Sequence, residues 1–546
     1  MRHAETIITN ARITTGDPSQ PRAEAVAIAG GRILAAGTAE SVAILSGPGT
    51  RVHDLHGRGL VPGLVDSHTH GLWGAVRDLF EIFLGFAASH ADLLDAIAAQ
   101  AGQAAPGEWI TAAPWKAHLR AGLGARPRER LDQVAPDRPV AVKDVTMHAL
   151  WVNSEALRRA GITAKTPDPD GGEIERDESG EPTGILTETA MALVLPHLAP
   201  SPGQLAQAVR HMVARFNGWG LTGFKEPMAF EPDLAAYAAA HDAGDLHLHM
   251  GAHLARQSPF GGDMTPMSDM LRWRETYGRP GLNTAYAKLF LDGVAPSHTA
   301  AFTEAYPGTD SARHDPEAML LLKPDALAAE VMALDAAGFT VKMHAVGDRA
   351  IQAGLDAIEA ARRTNGDSGL RHEIAHCPFP RAQDLPRFAA LGAVAEVSPK
   401  LWFPGPVTEG QRAVLGAERV ERCHPIGDLL NAGAEVIYGS DWPAASADAN
   451  PWTGLAGMIS RRDPGGRFPG TLGADQAIPL DTALGLMTTG GARAMGREGD
   501  FGQIRAGQSA DMVMIGGDLS AMTPEDIGTT EPQATLFRGQ VVYGAL

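Results

Sequence analysis

Residues 60–71 read L-V-P-G-L-V-D-S-H-T-H-G. A short apolar run, Leu64 and Val65, ends in Asp66, and His68 and His70 follow with one residue between them. Because successive side chains of a β-strand alternate between its two faces, His68 and His70 would point the same way at a strand end. Two adjacent imidazoles can begin a metal site. An H-x-H motif is short, however, and a pair of surface histidines on a loop fits it equally well.

The length and charge of the chain bound its class. A chain of 546 residues is longer than a usual single domain, so we expect one large domain that carries smaller ones. Its hydrophobic share of 44% and charged share of 20% are typical of a globular protein. The net charge of −18 disfavours nucleic acid or an anionic membrane as a partner. A small-molecule substrate is expected instead.

The cysteine content and the terminal segment indicate a compartment. Cys377 and Cys423 are the two cysteines, too few for a disulfide framework, which favours a reducing environment. Residues 1–15 contain neither an apolar core nor a cleavage signal, and no apolar run reaches about 18 residues. We therefore expect a cytoplasmic protein without a membrane span. The sequence leaves the oligomeric state open, a homodimer or larger homo-oligomer included.

Both ends of the chain have sequence patterns typical of short strands. Residues 5–60 alternate β-rich runs with turns, and A-G-G-R at 29–32 is typical of a hairpin turn. Similar runs return at 510–519 and 534–543. We predict a small β-sandwich domain formed by residues 1–60 together with residues 500–546.

The middle of the chain, residues 61–499, alternates strand patterns with helical ones, which predicts an α/β fold with parallel strands. Eight strands with intervening helices fit a closed (β/α)₈ TIM-like barrel. Helices are expected at 324–338, 350–364 and 382–392. The predicted strands are 64–70, 221–227, 246–253, 285–292, 339–344, 370–376, 393–398 and 435–441.

An insertion separates the first two predicted barrel strands. About 150 residues lie between them, far more than a βα connection needs. The insertion has two strand-like segments, at 109–115 and 139–145, and a turn-rich run at 166–184. We predict an inserted subdomain over residues 100–200, after the first barrel strand and over the barrel mouth.

Residues able to bind metal recur at the ends of the predicted strands. The carboxyl ends of barrel strands converge on one mouth, so residues far apart in sequence meet there. A single histidine is more often structural, but six such residues at corresponding positions favour a metal site. They are His68, His70, Lys288 in A-K-L-F-L-D-G, His344 in V-K-M-H-A-V-G-D, His376 in E-I-A-H-C-P and Asp441 in Y-G-S-D-W-P.

This set resembles the amidohydrolase superfamily, and within it the YtcJ-like group (amidohydrolase family 3), which includes N-substituted formamide deformylases. The motifs that carry the resemblance span nearly the whole chain. They are V-P-G-L-V-D-S-H-T-H, L-D-Q-V-A-P-D-R-P-V, H-A-L-W-V-N-S-E-A-L, K-L-F-L-D-G, H-A-V-G-D-R-A-I, A-H-C, G-S-D-W-P and G-Q-S-A-D-M-V.

The resemblance implies a centre of two divalent metal ions. It assigns His68, His70 and Asp441 to one ion, assigns His344 and His376 to the other, and has Lys288 bridge the two ions as a carbamate. An ammonium cannot ligate a cation, whereas a carbamate offers two oxygens and a negative charge. The alternative for Lys288 is a salt bridge, for instance to Asp292 on the same strand face. Zinc is the first expectation, with manganese, iron and cobalt as alternatives.

A mechanism follows from these groups. Bound metal lowers the pKa of a water toward about 7 and polarises a carbonyl group. Asp441 would accept the proton of the attacking water and pass it to the leaving nitrogen.

Other residues are weaker candidates for substrate binding. The resemblance suggests that His148, with Asn153, reaches the substrate, although a structural polar pair fits as well. Trp115, Trp402 and Phe403 are apolar pocket candidates, with simple packing as the alternative.

Two segments depart from the family pattern. Where relatives carry an aspartate after the second strand, this chain has Lys225 and Glu226. Two alternatives follow: Glu226 is a further ligand or a partner of a ligand, or Lys225 competes with Lys288 for the bridging role. Lys400 in the seventh strand segment and His298 after the fourth strand suggest a different substrate preference.

The sequence as a whole predicts a metal-dependent hydrolase of a non-peptide C–N bond, an amide or formamide of a small organic molecule. A cyclic amide hydrolase or a deaminase of the same superfamily is the alternative within this class. A catalytically silent binding barrel is the alternative from another class, and the retained Asp441 argues against it.

Overall fold

The computed structural model describes residues 3–85, 89–105, 107–115, 120, 122–144, 149–169, 171–258, 263–444 and 446–546. The chain forms two compact units. The first unit comprises Met1–Gly71, Val209–Gln257 and Met264–Leu546, and the second comprises Leu72–Ala208 and Ser258–Asp263.

The first unit begins with short strands and one short helix. They are β1 (Thr6–Thr9), β2 (Arg12–Thr14), β3 (Arg22–Ala23), β4 (Ala25–Ala29), β5 (Arg32–Gly37), α1 (Ala39–Ala43), β6 (Arg51–Asp54) and β7 (Gly59–Pro62), followed by β8 (Leu64–Asp66). The predicted hairpin at 29–32 is confirmed, since β4 and β5 pair antiparallel around Gly30 and Gly31. Both glycines have positive φ, of 58° and 72°, which the tight turn requires.

The second unit has a mixed sheet of its own, in the order β13-β14-β12-β11-β10-β9. Its elements are α2 (Gly71–Phe80), β9 (Glu81–Phe83), α3 (His90–Ala101), β10 (Ile110–Trp115), α4 (Arg128–Val134), β11 (Val140–Asp144), β12 (Ala149–Val152), α5 (Ser154–Arg159), β13 (Gly172–Arg176) and β14 (Pro182–Glu188). The two predicted strands are confirmed as β10 and β11. The run at 166–184, expected to be turns, instead contains β13 and the start of β14, because Asp177 accepts backbone hydrogen bonds from Ser179 and Glu181 and so closes a tight hairpin.

The barrel elements follow in the alternation that the sequence predicts. They are α6 (Pro202–Gly218), β15 (Leu221–Ala229), α7 (Glu231–Asp242), β16 (His249–Ala255), α8 (Met267–Tyr277), β17 (Leu282–Phe290), α9 (Pro324–Ala336), β18 (Thr340–Ala345), α10 (Asp348–Asn365), β19 (Glu373–His376), α11 (Leu385–Leu391), β20 (Val394–Val397), α12 (Pro406–Leu415), α13 (Ala417–Glu421), α14 (Ile426–Asn431), β21 (Glu435–Tyr438), α15 (Pro451–Ser460), α16 (Leu480–Leu486) and α17 (Thr489–Ala494).

Eight parallel strands form one sheet, in the order β21-β20-β19-β18-β17-β16-β15-β8. The first and last strands are joined just beyond their ends, where the backbone N–H of Ser67 donates to the carbonyl of Tyr438 at 2.8 Å. The predicted (β/α)₈ barrel is therefore confirmed. None of the described helices has the length and apolar character that crossing a membrane requires.

The chain ends in β22 (Met512–Ile515), α18 (Pro524–Gly528), β23 (Ala534–Phe537) and β24 (Gln540–Gly544). These strands join amino-terminal ones in the sheet β24-β23-β22-β7-β2-β3, while β5-β4-β1-β6 form a second sheet. One hydrophobic core contains Ile8, Val26, Ile13, Met512 and Leu536, and therefore side chains from both sheets. The two termini thus build an extra β-domain, as the sequence predicts.

Candidate metal centre

The six predicted metal-binding residues all lie at or just beyond the carboxyl ends of barrel strands. His68 and His70 were expected within the first strand, but β8 ends at Asp66 and both histidines follow it. The Asp66 carboxylate accepts the backbone N–H groups of His68, at 3.0 Å, and Ser440, at 3.1 Å, which turns the chain away from the strand path. His68 and His70 therefore lie on a loop whose backbone is hydrogen-bonded to the Asp66 carboxylate.

Asp441 lies at the centre of the cluster. Its Oδ1 is 3.5 Å from Nε2 of His68 and 3.6 Å from Nε2 of His70, and its Oδ2 is 3.9 Å from Nδ1 of His376. One ligand atom each of His68, His376 and Asp441 lies within 4.8 Å of the other two. Such spacing suits a metal ion bound among the three side chains.

His344 extends the cluster on the side of β18. Its ring centroid is 4.7 Å from that of His376. Nε2 of His344 lies 3.2 Å from the carbonyl oxygen of Gly293. Because a carbonyl oxygen only accepts, Nε2 carries the hydrogen and Nδ1 has a free lone pair, the form in which a histidine binds metal.

The histidines of the cluster are neutral. Burial, followed by the charge of Lys288, lowers the pKa of His70 and of His344 to about 3. Burial also lowers the pKa of His68 and of His376 well below the usual value. Nε2 of His68 is buried, and no hydrogen-bond partner for it exists among the described residues. An orphaned lone pair facing a carboxylate fits a metal ion, so the residues present match a metal centre.

Lys288 has the environment of a neutral amine. Its side chain is buried in β17, and no carboxylate of the described chain lies within 4.0 Å of its Nζ. Burial, together with the positive charge of Lys342, lowers the pKa of Lys288 to about 7. The alternative salt bridge to Asp292 is not formed. Asp292 instead accepts three backbone N–H groups, those of residues 301, 346 and 347.

Lys225, the alternative bridging lysine, is already engaged. Its Nζ hydrogen-bonds the carboxylate of Glu373 and the carbonyl of Ala494, the latter at 3.2 Å. Nζ of Lys342 lies 3.1 Å from the other oxygen of Glu373 and donates a hydrogen bond to the carbonyl of Ser67 at 2.6 Å. Two buried lysines therefore lie against one buried carboxylate inside the barrel, and of these three lysines only Lys288 has no carboxylate partner among the residues that the structure describes.

The structure places Glu226 against His70. Its Oε1 is 3.6 Å from Nδ1 of His70, and its Oε2 accepts a hydrogen bond from the hydroxyl of Tyr237 at 2.8 Å. Glu226 is therefore situated to orient the His70 ring.

Glu396 is a residue of this site that the sequence interpretation missed. It is fully buried in β20, and its Oε2 is 2.5 Å from Nδ1 of His68. Its carboxylate also accepts from the hydroxyl of Ser398, at 3.2 Å, and from the backbone N–H of His376, at 3.3 Å. A glutamate in the apolar run A-V-A-E-V-S was the available signal, since an unpaired glutamate is almost never fully buried.

Backbone strain marks the two ends of the cluster. His376 and Asp441 have φ values of 65° and 53°, in the left-handed region that residues with a Cβ seldom adopt. The Asp441 backbone is held there because its N–H donates to the carbonyl of His68 at 2.8 Å. Such conformations cluster at functional sites.

Of the other predicted substrate-binding residues, the structure describes Trp115 and His298. Trp115 is 1% exposed and lies in the core of the second unit, 6.2 Å from the ring of Trp151, so its contacts there are packing contacts. His298 is exposed on the segment after β17, with its ring 4.6 Å from that of Tyr306. His148 lies outside the described residues.

Two further residues have structural partners. Asn153, expected to work with His148, is buried and caps α5 by accepting the backbone N–H of Ala156 at 2.9 Å. Lys400 forms an ion pair with Asp448 and donates to its carbonyl at 2.8 Å.

Known proteins are similar to this chain in sequence over nearly its full length. It is 31% identical to an N-substituted formamide deformylase of Arthrobacter pascens over 547 residues, covering 96% of this chain and 95% of that protein. It is 29% identical to the putative amidohydrolase YtcJ of Bacillus subtilis over 541 residues, covering 96% of each.

Solved structures share the fold. An uncharacterized metal-dependent hydrolase from Pyrococcus horikoshii matches with a TM-score of 0.75 and 22% identity, covering 95% of this chain and 99% of that one. The model of the amidohydrolase family matches residues 51–543. The chain therefore belongs to the amidohydrolase family, in its YtcJ-like group, and is a hydrolase acting on carbon–nitrogen bonds other than peptide bonds.

Proposed function

We propose that this enzyme hydrolyses the amide or formamide C–N bond of a small organic molecule at the cluster around Asp441. The observation that carries the proposal is the set of neutral, buried histidines whose ring nitrogens lie 3.5–3.9 Å from the Asp441 carboxylate. The relative from Arthrobacter pascens is an N-substituted formamide deformylase, which supports a formamide as the first substrate class to test.

Two divalent ions fit this donor set. His68, His70 and Asp441 would hold one ion, and His344 and His376 the other. Zinc is the first choice because imidazole nitrogens with carboxylate oxygens are its usual ligands. The ions would lower the pKa of a water and polarise the scissile carbonyl.

Lys288 would join the two ions as a carbamate. A lysine must be neutral to attack carbon dioxide, and the pKa of Lys288, lowered to about 7, leaves much of the amine neutral at physiological pH. The absence of a carboxylate within 4.0 Å of its Nζ, among the described residues, supports the same role, because a salt bridge would hold the ammonium form.

Asp441 would move the proton. Its carboxylate faces three histidines and is fixed by the backbone hydrogen bond to His68, so its oxygens are aimed into the centre. From there Asp441 accepts a proton from the attacking water and delivers it to the leaving nitrogen. Glu226 orients the ring of His70, and Glu396 orients the ring of His68.

The test combines metal analysis with a substrate panel. Purified protein reconstituted with zinc should hold about two ions per chain by elemental analysis, and should hydrolyse N-substituted formamides more readily than N-acyl amides, cyclic imides, lactones or aminopurines. Preference for a cyclic imide would point to a cyclic amide hydrolase, and ammonia release from an aminopurine to a deaminase. Clearly substoichiometric metal with no turnover would instead support a silent binding barrel.

A further inference from the structure

A polar cavity lies in the first unit, away from the candidate metal centre. It has a volume of about 640 Å³ and is lined by residues of the terminal β-domain and of the segment that follows α17. His249, which begins β16, also lines it. Since the metal-binding residues lie at the carboxyl ends of the barrel strands and His249 at an amino end, the cavity and the metal centre are at opposite ends of the barrel.

The lining of this cavity is positively charged. Four arginines, Arg32, Arg51, Arg497 and Arg538, face it together with two acidic residues, Glu5 and Asp500, so the formal sum is 4 − 2 = +2. The whole chain carries a net charge of −18. A local excess of arginine against such a background attracts anions by focusing the field within a concave surface.

Two of the four arginines are bound to Asp500. Arg32 Nη2 donates to Asp500 Oδ1 at 2.9 Å, and Arg497 Nε donates to Asp500 Oδ2 at 3.0 Å. Arg32 is fixed further by the carbonyl of Gly507, at 2.7 Å. Asp500 thus holds the two guanidinium groups in place and neutralises only part of their charge.

The other two arginines have no acidic partner in the described part of the chain. Neither Arg51 nor Arg538 has a carboxylate within 4.0 Å of its guanidinium nitrogens. The backbone N–H of Arg538 donates to Asp511 at 2.7 Å, so the main chain that carries this side chain is fixed. Their hydrogen-bond donors remain available to a ligand.

Two hairpin turns pack closely against each other in the wall of the cavity. A Cβ on Gly31 would lie 3.0 Å from the carbonyl oxygen of Arg538, and a Cβ on Gly539 would lie 2.8 Å from Ile28. Both glycines have positive φ, of 72° and 73°. The two hairpin turns can therefore approach each other only as glycines, which positions Arg538 beside the turn that precedes Arg32.

A buried hydrogen-bond chain fixes Arg497. Its Nη1 lies 2.6 Å from Nδ1 of His249, and Nε2 of His249 lies 2.7 Å from Asp511. Because a guanidinium only donates, Nδ1 accepts and Nε2–H donates to the Asp511 carboxylate. Arg497 is thus oriented before any ligand arrives, which reduces the entropic cost of binding.

We propose that this arginine-lined cavity binds a small molecule that carries two or more phosphate groups. Guanidinium groups match phosphate oxygens with paired N–H donors, and several arginines around one cavity favour a polyanion over a single anion. A volume of about 640 Å³ admits a ligand of the size of a diphosphate ester. The site is separate from the proposed hydrolytic reaction and does not depend on it.

The test uses inorganic pyrophosphate as the probe and isothermal titration calorimetry on the metal-loaded enzyme. Binding should be saturable, should weaken as sodium chloride is raised, and should exceed that of citrate, a polycarboxylate. The Arg51→Ala and Arg538→Ala variants should each bind at least about tenfold more weakly, because each loses charge-assisted hydrogen bonds. The control Arg313→Ala, which removes a guanidinium whose side chain is 88% exposed, should bind as the parent does.

Pyrophosphate also chelates metals, so the metal centre must be distinguished from the cavity. Binding that survives removal of the metal by a chelator and dialysis but is lost in the Arg51→Ala/Arg538→Ala double variant belongs to the cavity. The opposite pattern, equal binding of citrate, or no saturable binding at all would overturn the proposal. Metal content and melting temperature of the arginine variants should match those of the parent, which shows that they fold.

Discussion

Glu396 and His68 form a buried hydrogen bond of 2.5 Å that connects β20 to the loop after β8. Both side chains are at most 1% exposed. Because the Glu396 carboxylate accepts, Nδ1 of His68 carries the hydrogen and the Nε2 lone pair is directed toward Asp441, 3.5 Å away. The tautomer and the ring orientation of a candidate metal-binding histidine are thus set by a residue of β20, two strands away around the closed barrel.

Replacing Glu396 with glutamine should weaken metal binding. The amide keeps the size of the side chain but removes the charge that holds the Nδ1–H of His68, and loss of such a partner typically lowers metal affinity by about 10- to 100-fold. Zinc affinity can be measured by competition with a chromogenic chelator. Glu359→Gln, on the outer helix α10 and 40% exposed, is the control and should leave the affinity unchanged. Parent-like affinity in Glu396→Gln would contradict the positioning role.

Asp441→Asn should nearly abolish turnover while leaving most of the metal bound. The amide can still offer an oxygen to a metal ion but cannot accept a proton, and the loss of a general base typically costs about 10²- to 10⁴-fold in kcat. Single-turnover kinetics and elemental analysis on the same sample separate the two effects. Asp310→Asn, an exposed aspartate paired with Arg313, provides the matched control. An unchanged kcat would remove Asp441 from proton transfer.

If Lys288 forms the proposed carbamate, reconstitution should depend on carbon dioxide. Metal added to apo-enzyme in buffer freed of carbon dioxide should restore little activity, and added bicarbonate should restore the rest. Lys288→Ala should be inactive, with partial rescue by a short carboxylic acid that supplies the missing oxygens. Lys323→Ala, at an exposed lysine, should behave as the parent does. Full activity without carbon dioxide would refute the carbamate.

The sequence predicted the barrel and its strand-end residues because both leave local traces. Parallel barrel strands are short apolar runs, and the candidate metal-binding residues His344 and Asp441 lie at or just after such runs, so their position at strand ends could be predicted from the sequence. Local spacing did not reveal where β8 stops, since that depends on Asp66 bonding to Ser440 across the closure of the barrel.

The pairing of side chains from different strands could not be predicted from the local sequence. Glu396 pairs with His68 and Glu373 with Lys225, residues separated by 328 and 148 positions. Only the register of the closed sheet brings such side chains together. A charged residue inside an otherwise apolar strand indicates a buried partner without identifying it.

Gly439 should not tolerate a side chain, although it lies beside the cluster and not in it. A Cβ at this position would lie 2.4 Å from Cβ of His68 and 2.6 Å from Oε1 of Glu396. Gly439→Ala should therefore displace the His68–Glu396 pair and lower zinc occupancy, measured by elemental analysis. Gly410→Ala, in α12 with no atom within 4 Å of the added Cβ, should be neutral or slightly stabilising. Equal zinc occupancy in the two variants would contradict the close approach at Gly439.

Glu373→Gln should destabilise the barrel more than any exposed ion-pair variant. Its carboxylate lies between Lys225 and Lys342, and all three side chains are fully buried. Removing the only carboxylate in contact with these two lysines in the described chain leaves buried charge uncompensated, at a cost of about 3–5 kcal/mol in the free energy of unfolding.

The matched control is Glu435→Gln, which breaks an ion pair with Arg371 whose arginine side chain is 43% exposed. Solvent screens that pair, so the expected loss is about 0–1 kcal/mol. Urea denaturation followed by circular dichroism gives both values. Similar losses in the two variants would show that water reaches Glu373 or that the lysines there are neutral. A large difference would mean that this buried charge also supports the loop that carries His68, because Lys342 donates to the carbonyl of Ser67, next to His68.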